Sequence, residues 1–193
     1  GGSARRAGEA RIRRQPLSAP RPPAVVCLVT MEQLLPDIPV ALVIVIYAAI
    51  WVTIHIGSGY VAHRLPLSLF DRDGLLCRER RWEGAGRLYR GLRVHRWKDA
   101  MPEAGSMFSG GFSKRALTGR DPAYLQRFVA ETCRAEFSHW LAVALGLTFF
   151  IWNHWVIGVF MMGYALGTNL PFILIQRYNR IRFRRVLSRY SRR

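Results

Sequence analysis

Apolar and polar residues in this chain fall into long separate blocks. Residues 38–56 carry no formal charge and are rich in Val, Ile and Ala, a run of about twenty residues that matches one bilayer crossing. Between 137 and 175 there is again no Lys, Arg, Asp or Glu, this time for 39 residues. One helix of that length would run about 60 Å against a hydrocarbon core of about 30 Å. The block therefore has to fold back. Asn153-His154, flanked by Trp152 and Trp155, is the natural turn, with both indoles at headgroup level. The pattern predicts an all-α polytopic membrane protein with three transmembrane helices: a single span at 38–56, then a C-terminal hairpin of 137–152 and 155–176.

The polar remainder, 57–136, reads as an interfacial region. Its 87–97 stretch alternates Arg with Tyr, Leu, Val and Trp, as suits a basic helix lying in the headgroup plane. The small-residue segment 105–112 has no Gly-x-x-x-x-Gly-Lys and no strand before it, so it is no phosphate loop; it reads as a linker or a mobile cover. Residues 1–30, with six Arg, one Glu and several Pro, have no periodicity and no signal-peptide pattern. They are expected to be a disordered, non-native extension ahead of a start at Met31. From Arg177 onward the chain holds eight Arg and no acid. The positive-inside bias places that basic tail, 177–193, and the 57–136 region in the cytoplasm of a bacterial cell, and Met31 outside.

Charge refines the picture. The formal net charge is +17, but the basic residues flank apolar spans. Membrane lipid headgroups explain that arrangement better than nucleic acid, which is not expected as a partner. The three cysteines, Cys27, Cys77 and Cys133, are far apart, so neither a disulfide framework nor a metal site is expected from them. Cys133 is expected to be structural, and His55 and His63 to be interfacial rather than metal ligands.

The run Glu131-Thr-Cys-Arg-Ala-Glu-Phe-Ser-His-Trp140 carries the candidate chemistry, because it lies where a polar helix enters the bilayer. Asp121-Pro122 opens that helix as N-cap and first residue. At helical spacing Arg127, Glu131, Arg134 and Ser138 share one stripe, and Thr132, Glu136 and His139 the next. Ionisable groups at a bilayer mouth tend to pair and to mark a site. His139 with Glu136 three residues earlier offers a general base and an orienting carboxylate, and Glu131–Arg134 would organise the mouth. Asn169 and Gln176 on the returning helix would hydrogen-bond a substrate or a developing oxyanion. Arg177, Arg180 and Lys98 are the candidates to hold an anionic donor. Gly-x-Ser-x-Gly, Gly-x-Gly-x-x-Gly after a strand and His-Glu-x-x-His are all absent.

Four motifs in order, Trp97-Lys-Asp…Pro102-Glu, Glu131-Thr-Cys-Arg-Ala-Glu…His139-Trp140, Asn169-x-Pro171 and Gln176-Arg-Tyr-Asn-Arg180, resemble the glycosyl-4,4'-diaponeurosporenoate acyltransferase family over roughly 38–187. The resemblance implies a membrane acyltransferase that esterifies the sugar of a carotenoid glycosyl ester, as in staphyloxanthin synthesis. It implies an acyl thioester as donor substrate (acyl-CoA or acyl carrier protein), no bound cofactor, and other carotenoid-pathway enzymes as partners. The alternative is a non-enzymatic membrane partner that assembles such enzymes. A methyltransferase or reductase would need a nucleotide-binding motif, and none is found.

Overall fold

The computed structural model describes residues 38–71, 74, 77–101 and 121–192. The 1–30 stretch, the Met31 start, Cys27, the Pro102-Glu pair and the 105–112 segment lie outside them. All regular structure among the described residues is helical. The long helices are α1 (Val40–Arg64), α4 (Pro122–Gly146) and α6 (Trp155–Tyr190), with short α2 (Arg87–Gly91), α3 (Val94–Trp97) and α5 (Phe149–Trp152) between them. Single 3-10 turns occupy Leu67–Leu69 and Lys98–Ala100, and Arg81–Gly86 is a tight segment interrupted by left-handed residues. Three segments are long and apolar enough to cross a membrane: α1, α4 running on into α5, and α6.

The boundaries follow from local chemistry. α1 continues through Gly57-Ser-Gly59, past the expected end at 56, and stops only where Pro66 forces Leu65 into an extended conformation. Asp121 accepts a hydrogen bond from the Tyr124 amide at 2.8 Å, with Pro122 in the first turn of α4, as the N-cap pattern predicts. The hairpin turns at Asn153-His154, where the His154 ring caps α6. α6 is 36 residues long, about 54 Å, so the basic tail continues the last span as one helix instead of leaving it at 176. Pro171 lies inside α6 without ending it.

The basic 87–97 stretch is helical in two pieces. It breaks where Arg93 takes a left-handed φ of 50°. Tyr89 and Val94 are buried against Ile175 and Ile181 of α6, and the arginines between them are exposed.

α4 and α6 share the main helix interface, and α1 packs on α4. At their crossing Trp51 stacks on Phe149 with ring centroids 5.2 Å apart and donates to the Met161 sulfur at 3.4 Å. A Cβ on Gly146 would come within 3.2 Å of both Ala165 and Trp51, so a small residue is what lets these helices approach. Val40, Ile44, Val45 and Val52 on α1 are exposed, a face suited to hydrocarbon.

One expectation is corrected. Cys77 and Cys133 form a disulfide, which fastens the loop after Phe70 to α4. Cys133 is thus structural through a covalent bond, and it is no thiol nucleophile. Wide sequence spacing hid the pair because only the tertiary fold brings their Cα atoms to 5.5 Å. Both residues are buried, and thiol–disulfide exchange needs access to sulfur, so solvent reductants are kept away from the bond. Alkylation of the native protein should leave both positions unlabelled until it is unfolded with reductant. Cys77→Ser should lower stability by about 4 kcal/mol, the loop-closure value for a separation of this order. Ready labelling of folded protein without reductant would refute the bond.

Candidate active site

The helix pattern that put Glu136 beside the membrane also turns it toward α6. There its carboxylate meets two guanidiniums. Arg177 Nε donates to Glu136 Oε1 at 2.6 Å, and Arg180 Nη2 donates to Oε2. Trp140, one turn further along α4, donates its indole N–H to Oε1 at 3.2 Å. Glu136 is fully buried, and Arg177 and Arg180 nearly so. These contacts replace the one expected for Glu136: it makes no hydrogen bond to His139. The i,i+3 spacing allowed that contact, but a buried carboxylate facing two cations from another helix is better compensated by them.

A second carboxylate completes the cluster, and sequence reasoning missed it. Glu83 accepts from Arg177 Nη1 at 3.0 Å and also from the Tyr89 hydroxyl and the Arg80 amide. It sits in the Arg81–Gly86 turn, whose Gly84, Ala85 and Gly86 all take left-handed φ values. That tight turn presses Gly86 against Ile181 of α6 and so delivers Glu83 to Arg177. The one available signal was a single acid between an arginine pair and a Gly-x-Gly turn. Burial pushes the Glu83 carboxyl up, but the Arg80 amide, the Tyr89 hydroxyl and Arg177 together bring it below the ordinary carboxylate range. Its contribution to stability is therefore complete above that range and lost only in acid, as pH falls through the lowered value. Burial, then the neighbouring Glu83, drives the Tyr89 phenol well above its usual range. Trp82 is exposed and lies under the Arg177 guanidinium at 6.0 Å, a cation–π contact at the rim.

His139 belongs to a neighbouring layer, less than one helical turn deeper on α4. Its Nδ1 lies 2.9 Å from Asn169 Oδ1 on α6, and its ring stacks on Phe172 at 5.0 Å. Asn169 is itself oriented, because its Nδ2 donates to the Ala165 carbonyl at 2.8 Å. A carbonyl only accepts, so the amide nitrogen must point at Ala165 and the amide oxygen at His139. The imidazole then donates from Nδ1, and in the neutral ring the lone pair is on Nε2. Asn169 is thereby a positioning residue for the histidine.

The remaining expected residues are placed as follows. Arg134 Nη2 donates to Glu131 Oε1 at 2.7 Å, the local pair the spacing predicts. Gln176 Oε1 is buried and has no hydrogen-bond partner. Lys98 pairs with its neighbour Asp99. Among the described residues no group of His, Cys, Asp and Glu could hold a metal ion.

The profile of the glycosyl-4,4'-diaponeurosporenoate acyltransferase family matches residues 66–189, which include both carboxylates, His139, Asn169 and the arginine pair. A curated glycosyl-4,4'-diaponeurosporenoate acyltransferase from Staphylococcus haemolyticus is 32% identical over 138 residues, covering 71% of this chain and 80% of that protein. The chain belongs to this acyltransferase family. A Staphylococcus aureus member of the same name is 24% identical over 144 residues, covering 74% of this chain and 87% of its own. No solved structure matches the acyltransferase. The family match begins at 66, so α1 lies outside it.

Proposed function

We propose that this acyltransferase moves a fatty acyl group from a thioester donor to a sugar hydroxyl of a glycosylated carotenoid or a similar lipid-linked glycoside, at the cytoplasmic face of a bacterial cell membrane. The observation that carries the mechanism is the chain Ala165 carbonyl–Asn169 amide–His139, which leaves the imidazole lone pair on Nε2. The polyene of such an acceptor would lie among the spans, and its sugar would stand at the mouth where α4 enters the apolar block. Family membership and the three apolar helices support this reading.

In the proposed step, His139 Nε2 takes the proton of a sugar hydroxyl as that oxygen attacks the thioester carbonyl carbon. The C–O bond forms, the tetrahedral intermediate collapses, and the C–S bond breaks. The imidazolium returns its proton to the departing thiolate, so the products are an ester and a thiol. Gln176 Oε1, a buried acceptor without a donor, suits a sugar hydroxyl better than an oxyanion. Glu83, Glu136, Arg177 and Arg180 lock α4, α6 and the Arg81–Gly86 turn together and so hold His139 opposite Asn169.

The protein in lipid nanodiscs, given an acyl thioester, should acylate a glucosylated carotenoid and release one thiol per ester formed. The carotenoid aglycone should remain unmodified. Thiol release without ester, or acylation of the aglycone, would reject the proposal.

A further inference from the structure

An arginine recurs at every third position of the segment that rests on α6: Arg87, Arg90, Arg93 and Arg96. Tyr89 and Val94 turn inward onto Ile175 and Ile181, and all four arginines stay exposed. Among the described residues none of the four makes an ion pair. Like charges three apart on a helix repel. The helices that carry them, α2 of five residues and α3 of four, are too short to be stable alone. Arg93 adds a left-handed φ of 50°, which is costly for a residue with a side chain. Anions on the outer face would offset all three. The arginines inside the site are already engaged: Arg177 and Arg180, the donor candidates from sequence, are buried in ion pairs with Glu136.

Depth sets the class of anion. A hydrocarbon core of about 30 Å takes up about twenty residues of α6 counted from Trp155 and ends near Ile175. Packing on Ile175 and Ile181 puts the segment within about 9 Å of that boundary, at the level of lipid headgroups. Trp82, Leu88 and Leu92 are exposed alongside the arginines, and apolar side chains at that level reach the acyl boundary. An acidic protein would need the same face clear of the bilayer. Guanidinium matches phosphate in shape and charge.

We propose that the arginine face of residues 87–96 binds the phosphates of anionic lipid headgroups, and that this contact seats the segment on α6. The same segment carries Glu83 to Arg177, so the lipid contact also steadies the Glu136 cluster. The inference goes beyond the acyl-transfer reaction, and its test does not use turnover. The full chain is placed in nanodiscs of phosphatidylcholine with or without phosphatidylglycerol, each lipid in turn carrying a photoreactive label next to its headgroup. Peptides from 81–97 should take up the phosphatidylglycerol label at least about tenfold more than the phosphatidylcholine label, since each basic residue near an anionic surface contributes a factor of about five. Arg87→Gln/Arg90→Gln/Arg93→Gln/Arg96→Gln should abolish that preference. Arg87→Lys/Arg90→Lys/Arg93→Lys/Arg96→Lys should keep most of it, because the charge is retained. Amide hydrogen exchange over 81–97 should slow at least about threefold when phosphatidylglycerol is added to wild type, and stay unchanged in the Gln variant. Equal labelling by the two lipids in wild type, or unchanged exchange on adding phosphatidylglycerol, would overturn the proposal. If the lipid preference survives the Gln substitutions while binding of an acidic acyl carrier protein is lost, the face is a protein dock and the proposal also falls.

Discussion

Glu136→Ala is expected to destabilise the helix pair severely, by about 3–5 kcal/mol, because it leaves two buried guanidiniums without their shared counter-ion. The carboxylate is fully buried between Arg177 and Arg180 and also accepts the Trp140 indole. Glu83 would still face Arg177, but Arg180 would lose the carboxylate that receives its Nη2. Glu136→Gln keeps the shape and loses the charge, so it should also be unstable. Thermal unfolding in detergent and abundance in the membrane both report this. Had the carboxylate served mainly to tune His139, the amide would fold normally and lose only turnover. A Glu136→Gln protein of normal abundance and unchanged thermal midpoint with much reduced kcat would overturn the structural role.

His139→Ala should do the reverse: normal abundance and normal unfolding, with acyl transfer lost by at least about a hundredfold. The ring is only half-buried, so truncation should change stability by about a kcal/mol. Asn169 supplies orientation without charge. Asn169→Leu should therefore lower kcat through a misplaced imidazole, though less than removal of the imidazole itself.

The architecture was legible because charge-free length is a strong signal: 39 uncharged residues cannot span once, and the Trp-Asn-His-Trp turn was marked by its own side chains. Contacts within one helix were legible too, as Asp121 capping Tyr124 and Arg134 meeting Glu131 show. Partners chosen across the fold were not. Glu136 had His139 within helical reach, yet it bonds Arg177 and Arg180, 41 and 44 positions away. Glu83 reached the site through a left-handed turn that gave no periodic signal. The Cys77–Cys133 bond joins a loop to a helix, which cysteine spacing cannot encode. His139 and Asn169 were each singled out, but their pairing depends on the register of α4 against α6, which no local pattern sets.

The most direct test of the account is kcat for ester formation by His139→Ala, at matched abundance in nanodiscs, without and with added imidazole. The account predicts a loss of at least about a hundredfold that imidazole partly restores. Near-normal turnover without imidazole would contradict it.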